Sequence, residues 1–345
     1  MGTSRGLRWA GAVLVIAALA ALVWVHRGEL PATGRALREA DPGWLAVGVM
    51  ALALSWLTWV FLHVLCRKLV GVGGFAEMIP LVPVTVAALA LNLAVKSGGL
   101  AGLAVFVADG RRRGLSTARV SGAYLVAAVM TEVAFVVTLA TGIVVVWVDG
   151  RITRPEVAAV MIFVVMLAAH VTVLLAAVRS LELLRRLWTL PAWTLDWMLR
   201  RPARPHDVTG ADELYKAVGL LRRRPVAMLP AAGCAVAIDL LGVVMLWAAL
   251  AAVGGGDRPV VALVAYAIST LFGIVGVSPG GLGFVEIGAV AVLVSFGATV
   301  GTAAAAVVVF RVLQFWIPVA IGVLVSWWLR RRGADRERRV ADVPA

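Results

Sequence analysis

The stretch from Ser278 to Glu286 reads Ser-Pro-Gly-Gly-Leu-Gly-Phe-Val-Glu and interrupts a long apolar region of the chain. Proline cannot donate a backbone hydrogen bond, and glycine accepts left-handed backbone and the close approach of other groups. The stretch therefore predicts a break between two short helices rather than one continuous helix. A shorter echo at 96–102, Lys-Ser-Gly-Gly-Leu-Ala-Gly, predicts a second break earlier in the chain.

The composition places both breaks in a membrane. The chain has 345 residues, 62% of them hydrophobic, and its mean hydropathy is +0.96. Soluble domains are about 45–50% apolar, so we predict an all-α integral membrane protein, a polytopic helical bundle that forms a single transmembrane domain over residues 1–345. The two cysteines, Cys66 and Cys234, predict neither a disulfide framework nor a metal cluster, and we expect no cofactor.

Apolar runs long enough to cross a bilayer predict six full spans. They lie at about 9–25, 44–62, 120–148, 157–178, 226–253 and 302–329. A cleaved signal peptide is the alternative for the first run, and we favour a retained span. Around the two breaks, residues 79–108 and 260–296 predict re-entrant hairpins that enter from opposite faces, with continuous spanning as the alternative for the first. Residues 179–224 predict an amphipathic cytoplasmic connector.

The net charge of +13 is explained by membrane topology rather than by nucleic acid. If the N-terminus is inside and both hairpins return to their own side, most lysines and arginines face the cytoplasm, as the positive-inside rule requires. We therefore predict a multi-pass protein of the cell inner (plasma) membrane with both termini cytoplasmic. Its basic face would meet anionic lipid headgroups. A homo-oligomer is left open.

The chain also predicts an internal repeat. Residues 44–148 and 226–329 each read as a span, a hairpin and a span, and the two units have nearly equal lengths. An odd number of crossings separates their starts, so the repeats would be inverted. Inverted repeats with interrupted helices that meet near the midplane are a recurrent transporter architecture.

Several charged and polar residues fall inside the predicted membrane region. Each intramembrane charge costs about 2.5–3.5 kcal/mol on insertion scales, so these groups need partners or a function. We expect Arg311 and Glu286 to lie close together. An Asp239–Arg311 ion pair is the structural alternative, and Glu132 has the alternative of bonding backbone across a helix interface. We also expect the helices that begin after Gly99 and at Phe284 to offer free N–H groups to a phosphate or carboxylate.

The predicted substrate-binding set combines the second break with these polar groups. It comprises Glu286, Arg311, Gly280, Gly281, Gly283, Pro279, Lys96, Asn92, Glu132, Gln314 and Asp239.

Two motifs together carry a family resemblance. The Ser278–Glu286 stretch is followed by Arg-Val-Leu-Gln-Phe-Trp-Ile-Pro at 311–318 and by Gly322. This pattern resembles the transmembrane region of lysylphosphatidylglycerol synthases and their stand-alone relatives. The resemblance covers essentially the whole chain. Its first half departs from the family, because Asn92 is present but the turn at 96–99 lacks the usual proline and no acid follows before Asp109.

The resemblance implies a lipid flippase without an aminoacyl-transferase domain. In full-length relatives this region moves an aminoacylated phospholipid, and other relatives are associated with polyprenyl-linked sugars. We therefore expect the substrate to be a membrane phospholipid or a lipid-linked sugar. A membrane-embedded transferase that acts on a polyprenyl-phosphate lipid is the alternative; it would need acids such as Asp239, Glu132 and Glu286 to converge, usually on a divalent metal. A non-catalytic scaffold is the third possibility.

Overall fold

The computed structural model describes residues 30–148 except Lys96, residues 226–325 except Gly276 and Val277, and isolated positions elsewhere. The predicted span at 9–25 and Lys96 lie outside the described residues. So do most of the predicted span at 157–178 and most of the connector at 179–224.

The described ranges consist of helices joined by short turns. The helices are numbered in chain order. They are α1 (Leu30–Arg38), α2 (Pro42–Leu69), α3 (Met78–Ala94), α4 (Leu100–Arg112), α5 (Thr117–Val148), α6 (Leu229–Ala252), α7 (Pro259–Val275), α8 (Phe284–Ser295) and α9 (Val300–Val325). Five of them are long and apolar enough to cross a membrane, namely α2, α3 with its preceding 3-10 turn, α5, α6 and α9. The prediction of an all-α polytopic membrane protein is confirmed.

The two halves of the structure have the same order of elements. A long helix, a hairpin of two helices and a second long helix form α2–α5, and the same order recurs in α6–α9. The first long helices, α2 and α6, pack extensively against each other, and each hairpin packs its two arms together. The predicted repeat units and their inverted relation across the membrane stay predictions.

Each hairpin is closed at its base by an arginine. Arg113, just after α4, donates from Nη2 to the carbonyl oxygen of Pro80 in α3 at 3.3 Å. Arg258, just before α7, donates from Nη1 to the carbonyl oxygen of Phe296, just after α8, at 3.1 Å. The end of each hairpin therefore lies next to its beginning. That both ends lie at one membrane face stays a prediction.

Within the described residues the apolar core forms four clusters, and two of them lie mainly in one half each. Leu246, Leu293 and Phe310 belong to the cluster between α6, α7, α8 and α9, where all three are fully buried. Leu81 and Phe106 belong to the cluster between α2, α3, α4 and α5. The arms of both hairpins therefore contribute to the apolar core.

One glycine sets the spacing between the two halves. Gly322 of α9 lies against Ala90 of α3 so closely that a Cβ at this position would collide with that of Ala90. Small residues allow membrane helices to approach each other in this way. The position of Gly322 in the sequence motif is thus explained by contact between α9 and the first hairpin.

Candidate functional site

The turn between α7 and α8 is built on left-handed glycines. Pro279–Gly281 forms a 3-10 turn, and Gly280, Gly281 and Gly283 have φ values of 58°, 67° and 86°. Non-glycine residues pay about 1–2 kcal/mol for such a backbone. Ser278 closes the turn by donating from Oγ to the carbonyl oxygen of Leu282 at 2.7 Å. The predicted helix break is therefore present, and it ends where α8 begins.

Arg311 and Glu286 form an ion pair against this turn, as predicted. The Nε of Arg311 lies 2.7 Å from Oε1 of Glu286, and its Nη2 donates to the carbonyl oxygen of Gly280 at 3.0 Å. The second carboxylate oxygen of Glu286 accepts from the backbone N–H of Gly283 at 2.7 Å. The Arg311 side chain is 6% exposed and that of Glu286 is 17% exposed. The predicted alternative, an ion pair between Arg311 and Asp239, is wrong.

A widened turn of α9 places the aromatic neighbour of Arg311. Residues Val312–Trp316 form a π-helical segment, and the N–H of Ile317 reaches the carbonyl oxygen of Val312. Pro318 has no N–H and its ring clashes with the carbonyl four residues earlier, so a regular helix cannot pass through this point. The segment places the ring of Phe315 beneath the guanidinium of Arg311. The Cζ atom of Arg311 lies 4.7 Å from the centre of this ring.

Close packing requires glycine in the turn for a second reason. A Cβ at Gly280 would collide with the ring of Phe315, and a Cβ at Gly281 would lie 2.7 Å from the Cα of Gly273 in α7. At Gly283, by contrast, the space is open. Only glycine at 280 and 281 lets the backbone of the turn pack this closely, because a side chain at either position would collide with its neighbours.

The start of α8 keeps two unpaired donors beside the ion pair. Among the described residues, the backbone N–H groups of Phe284 and Val285 have no hydrogen-bond acceptor. The first N–H groups of a helix lack an intrahelical partner and carry the positive end of its dipole. Binding of an anion at this helix start stays a prediction.

The turn between α3 and α4 is different, and the prediction of free donors there is wrong. The N–H of Gly102 is bound by Oδ1 of Asn92 at 2.7 Å, and that of Ala101 by Oγ of Ser97 at 2.9 Å. Tyr124 of α5 accepts from Nδ2 of Asn92 at 2.8 Å and donates to the carbonyl oxygen of Gly99 at 2.9 Å. Within the described part of this turn, neutral side chains therefore bind the N–H groups that an anion would use.

Asp239 lies in a separate buried cluster. It accepts hydrogen bonds from the hydroxyls of Thr138 on α5 and Tyr266 on α7, both at 3.2 Å. Glu132 of α5 is close enough to interact with Asp239 electrostatically. Gly242, one turn along α6, makes room for the Tyr266 ring, which a Cβ would strike. In the described residues no three histidine, cysteine or acidic side chains are grouped to hold a metal.

The remaining predicted residues have the following places. Gln314 is half-buried in the π-helical segment, and Pro279 begins the second turn. This turn packs against α3, so the two hairpins meet.

Sequence reasoning missed Tyr124, Phe315, Thr138 and Tyr266. Phenolic and hydroxyl groups in an apolar span were the signal for Tyr124, Thr138 and Tyr266.

Two isolated positions show an ion pair in the connector. The guanidinium of Arg185 binds both carboxylate oxygens of Asp212, at 2.7 and 2.9 Å. Hydrogen bonding from Arg185 lowers the pKa of Asp212 below its ordinary value. Because both side chains are partly exposed, this pair serves below as a control for the buried pair.

The fold and the second turn define a multi-pass α-helical membrane protein with interrupted helices and a buried ion pair at one interruption. The family described as "Lysylphosphatidylglycerol synthase TM region" matches residues 9–322. The chain belongs to this family, which confirms the resemblance. Among curated proteins, none matched the sequence.

Proposed function

We propose that this protein is a lipid translocase, and that Arg311 and Glu286 hold the polar headgroup of the lipid while it crosses the bacterial inner membrane. The ion pair of 2.7 Å between these residues, set against the glycine turn, carries the proposal. A buried ion pair contributes little net stability compared with apolar packing. Its position at a helix start whose first N–H groups have no acceptor among the described residues is better explained by binding than by stability.

The pair can open without leaving a charge unpaired. A phosphate oxygen can replace the carboxylate of Glu286 on Arg311, since guanidinium groups bind phosphate in a bidentate manner. The N–H groups of Phe284 and Val285 lie at the same helix start and favour an anion there. The released carboxylate of Glu286 then accepts from an ammonium or hydroxyl group of the same headgroup. Every charge keeps a partner, as the hydrocarbon region demands.

This exchange defines the substrate class. The headgroup needs a phosphate for Arg311 and a donor for Glu286. An aminoacyl-phospholipid supplies the donor as an ammonium, and a polyprenyl-linked glycolipid supplies it as sugar hydroxyls. Family membership supports a lipid-related role for the chain, and the proposal names the headgroup chemistry that the second turn would accept.

Transport is tested with the full chain reconstituted into liposomes. Fluorescent phosphatidylglycerol and its lysyl ester are the probes, and the fraction reached by a membrane-impermeant quencher is followed over time. We expect Glu286→Gln and Arg311→Gln to lower the protein-dependent rate at least about tenfold, because a hydrogen bond to a charged group is worth about 1.5–3 kcal/mol. The control, Arg185→Gln, breaks the exposed pair and should keep the wild-type rate.

Two results would count against the proposal. Wild-type rates in both Glu286→Gln and Arg311→Gln would remove the site assignment. Magnesium-dependent conversion of a polyprenyl-phosphate lipid, with no lipid movement, would indicate the transferase instead. Of the acids that a transferase would use, Glu286 is bound to Arg311, while Asp239 is bound to Thr138 and Tyr266 and interacts electrostatically with Glu132.

A further inference from the structure

A groove of about 470 Å³ lies between the first hairpin and α9. Its walls are small and aliphatic, with Ala87 and Leu91 from α3, Ala108 from α4, and Val319 and Val323 from α9. The volume falls in the range of about 300–1,000 Å³ that is usual for ligand sites. The groove is separate from the ion pair of Arg311 and Glu286, because neither residue lines it.

The polar groups of the groove lie at one end. Asp109 and Arg112 of α4 line it there, and so does Trp327, which follows α9. Arg331 places its guanidinium 3.5 Å from the centre of the Trp327 ring. Tryptophan and arginine at the ends of membrane helices mark the interface with the headgroups. One end of the groove therefore lies at headgroup level, and its apolar part extends inward.

The charge at this end is positive. Asp109 is neutralised by Arg113, whose Nε lies 2.8 Å from Oδ2 of the carboxylate. Arg111 donates from Nε to the hydroxyl of Thr117 at 3.4 Å. Arg112 has no ion-pair partner among the described residues, and its side chain is exposed at the groove. An anion at this end would meet the unpaired guanidinium of Arg112.

The length of the groove matches one leaflet. Its wall on α3 runs from Val84 to Ala94, which is about 15 Å of helix at 1.5 Å per residue. The hydrocarbon core of a bilayer is about 30 Å thick, so the groove extends over about half of it. A hydrocarbon chain that starts at headgroup level would end near the midplane.

We propose that the groove binds an anionic phospholipid of the leaflet that Arg112 faces. One acyl chain lies along α3 between the hairpin and α9, and the phosphate pairs with Arg112. Anionic headgroups are attracted to interfacial arginines, whereas a zwitterionic lipid carries a compensating positive charge. The second glycine turn packs against α3, so the bound lipid would also be a neighbour of the headgroup site. A role as a waiting position for transport rests on the proposed function; the binding itself does not.

Binding is measured on the purified full chain by native mass spectrometry during titration with phosphatidylglycerol or phosphatidylcholine. Arg112→Gln tests the charge, and Arg111→Gln is its control, since only Arg112 lines the groove. The matched pair for shape is Ala108→Phe and Ala104→Phe. Both alanines are exposed on α4, and only Ala108 lines the groove.

We expect phosphatidylglycerol to bind more tightly than phosphatidylcholine. Arg112→Gln should weaken phosphatidylglycerol binding roughly fivefold, the loss expected for one interfacial arginine, and should remove most of the preference. Ala108→Phe should weaken the binding of both lipids. Arg111→Gln and Ala104→Phe should bind like wild type. Equal losses in the two arginine variants, or no difference between the two alanine variants, would overturn the site.

The same variants separate this site from the transport site. Glu286→Gln should keep wild-type phosphatidylglycerol binding in the groove even where it stops lipid movement. Loss of groove binding in Glu286→Gln would show that the mass-spectrometric signal reports the ion-pair site, and the groove assignment would fail.

Discussion

Tyr124 Oη donates a hydrogen bond to the carbonyl oxygen of Gly99 at 2.9 Å. The corresponding bond in the second half comes from Arg311, which donates to the carbonyl oxygen of Gly280 at 3.0 Å. Each glycine turn is thus held by a side chain of the long helix that follows its hairpin. The first holder is neutral and the second is charged. We therefore expect a structural role for the first turn, and the proposed anion site lies at the second.

Replacing Tyr124 tests the structural role of the first turn. Tyr124→Phe removes the bonds to Gly99 and from Asn92, so we expect a loss of about 1–2 kcal/mol in the free energy of unfolding, at about 0.5–1.5 kcal/mol for each bond. Thermal unfolding in detergent measures this loss. Lipid transport should change less than about twofold, since the proposed headgroup site lies at the second turn. A strongly reduced transport rate in a stable Tyr124→Phe protein would contradict this role.

The control for this variant is Tyr215→Phe. Tyr215 is half-buried and lies outside the predicted spans. Its replacement makes the same chemical change without touching either turn, and we expect wild-type stability.

The ion pair of Arg311 and Glu286 should show strong coupling in a double-mutant cycle. Arg311→Gln and Glu286→Gln each leave one charge buried without its partner, which typically costs about 3–5 kcal/mol. The double variant leaves neither charge, so its loss should fall well below the sum of the two single losses. Chemical or thermal unfolding of the four proteins measures the coupling. Additive losses would show that the two side chains do not depend on each other.

The two glycines of the second turn should differ in their tolerance of alanine. Gly283→Ala meets open space and bears only the backbone strain of φ 86°, about 1–2 kcal/mol. Gly280→Ala adds a collision with Phe315, and overpacking of this kind costs about 1–3 kcal/mol more. Thermal unfolding should therefore rank Gly280→Ala below Gly283→Ala. The reverse order would show that the ring of Phe315 moves aside freely.

Replacing Asp239 separates its charge from its hydrogen bonds. Asp239→Asn keeps an oxygen that can accept from Thr138 or Tyr266, so we expect a loss of no more than about 1 kcal/mol. Asp239→Leu leaves both hydroxyls without this acceptor, and each unsatisfied group costs about 1–3 kcal/mol. Unfolding measurements on the two variants check the order. Equal losses would mean that the carboxylate charge matters more than the bonds.

Cysteine labelling tests whether the first hairpin returns to its own face. The native thiols of Cys66 and Cys234 are buried, so a new exposed cysteine can be labelled over a low background. Ala76→Cys lies before the hairpin and Ser116→Cys lies after it, and both positions are exposed. With an impermeant maleimide on intact cells, we expect neither to react until the cytoplasmic side is opened. Labelling of the two positions from opposite sides would establish continuous spanning.

The pairing of Arg311 with Glu286 could be predicted because buried charges need partners and both lie in the second repeat unit. The breaks could be predicted because proline and glycines punctuate an otherwise apolar region. The widened turn of α9 also has a readable signal, since Pro318 removes an N–H from the helix. These features follow from residue types and short sequence patterns, which can be read directly from the chain.

The environment of the first turn could not be predicted in the same way. Ser97 and Asn92 both accept hydrogen bonds from the first turn of α4, although neither is the residue directly before that helix. Asn92 reaches α4 only because α3 folds back against it. Tyr124 reaches Gly99 only because α5 packs beside the hairpin. A tyrosine in an apolar span is also typical of a membrane interface. Such partners are set by the packing of whole helices and not by spacing along the chain.

Each turn depends on a side chain that leaves the ribosome after the turn itself. Gly99 leaves the ribosome before Tyr124, and Gly280 leaves it before Arg311. Until the later helix arrives, the carbonyl oxygen of the turn has lost water without gaining its donor, and an unsatisfied backbone group in lipid costs several kcal/mol. A hairpin is therefore poorly suited to enter the bilayer by itself. Its insertion should await the following span, so that hairpin and span leave the insertion machinery as one unit.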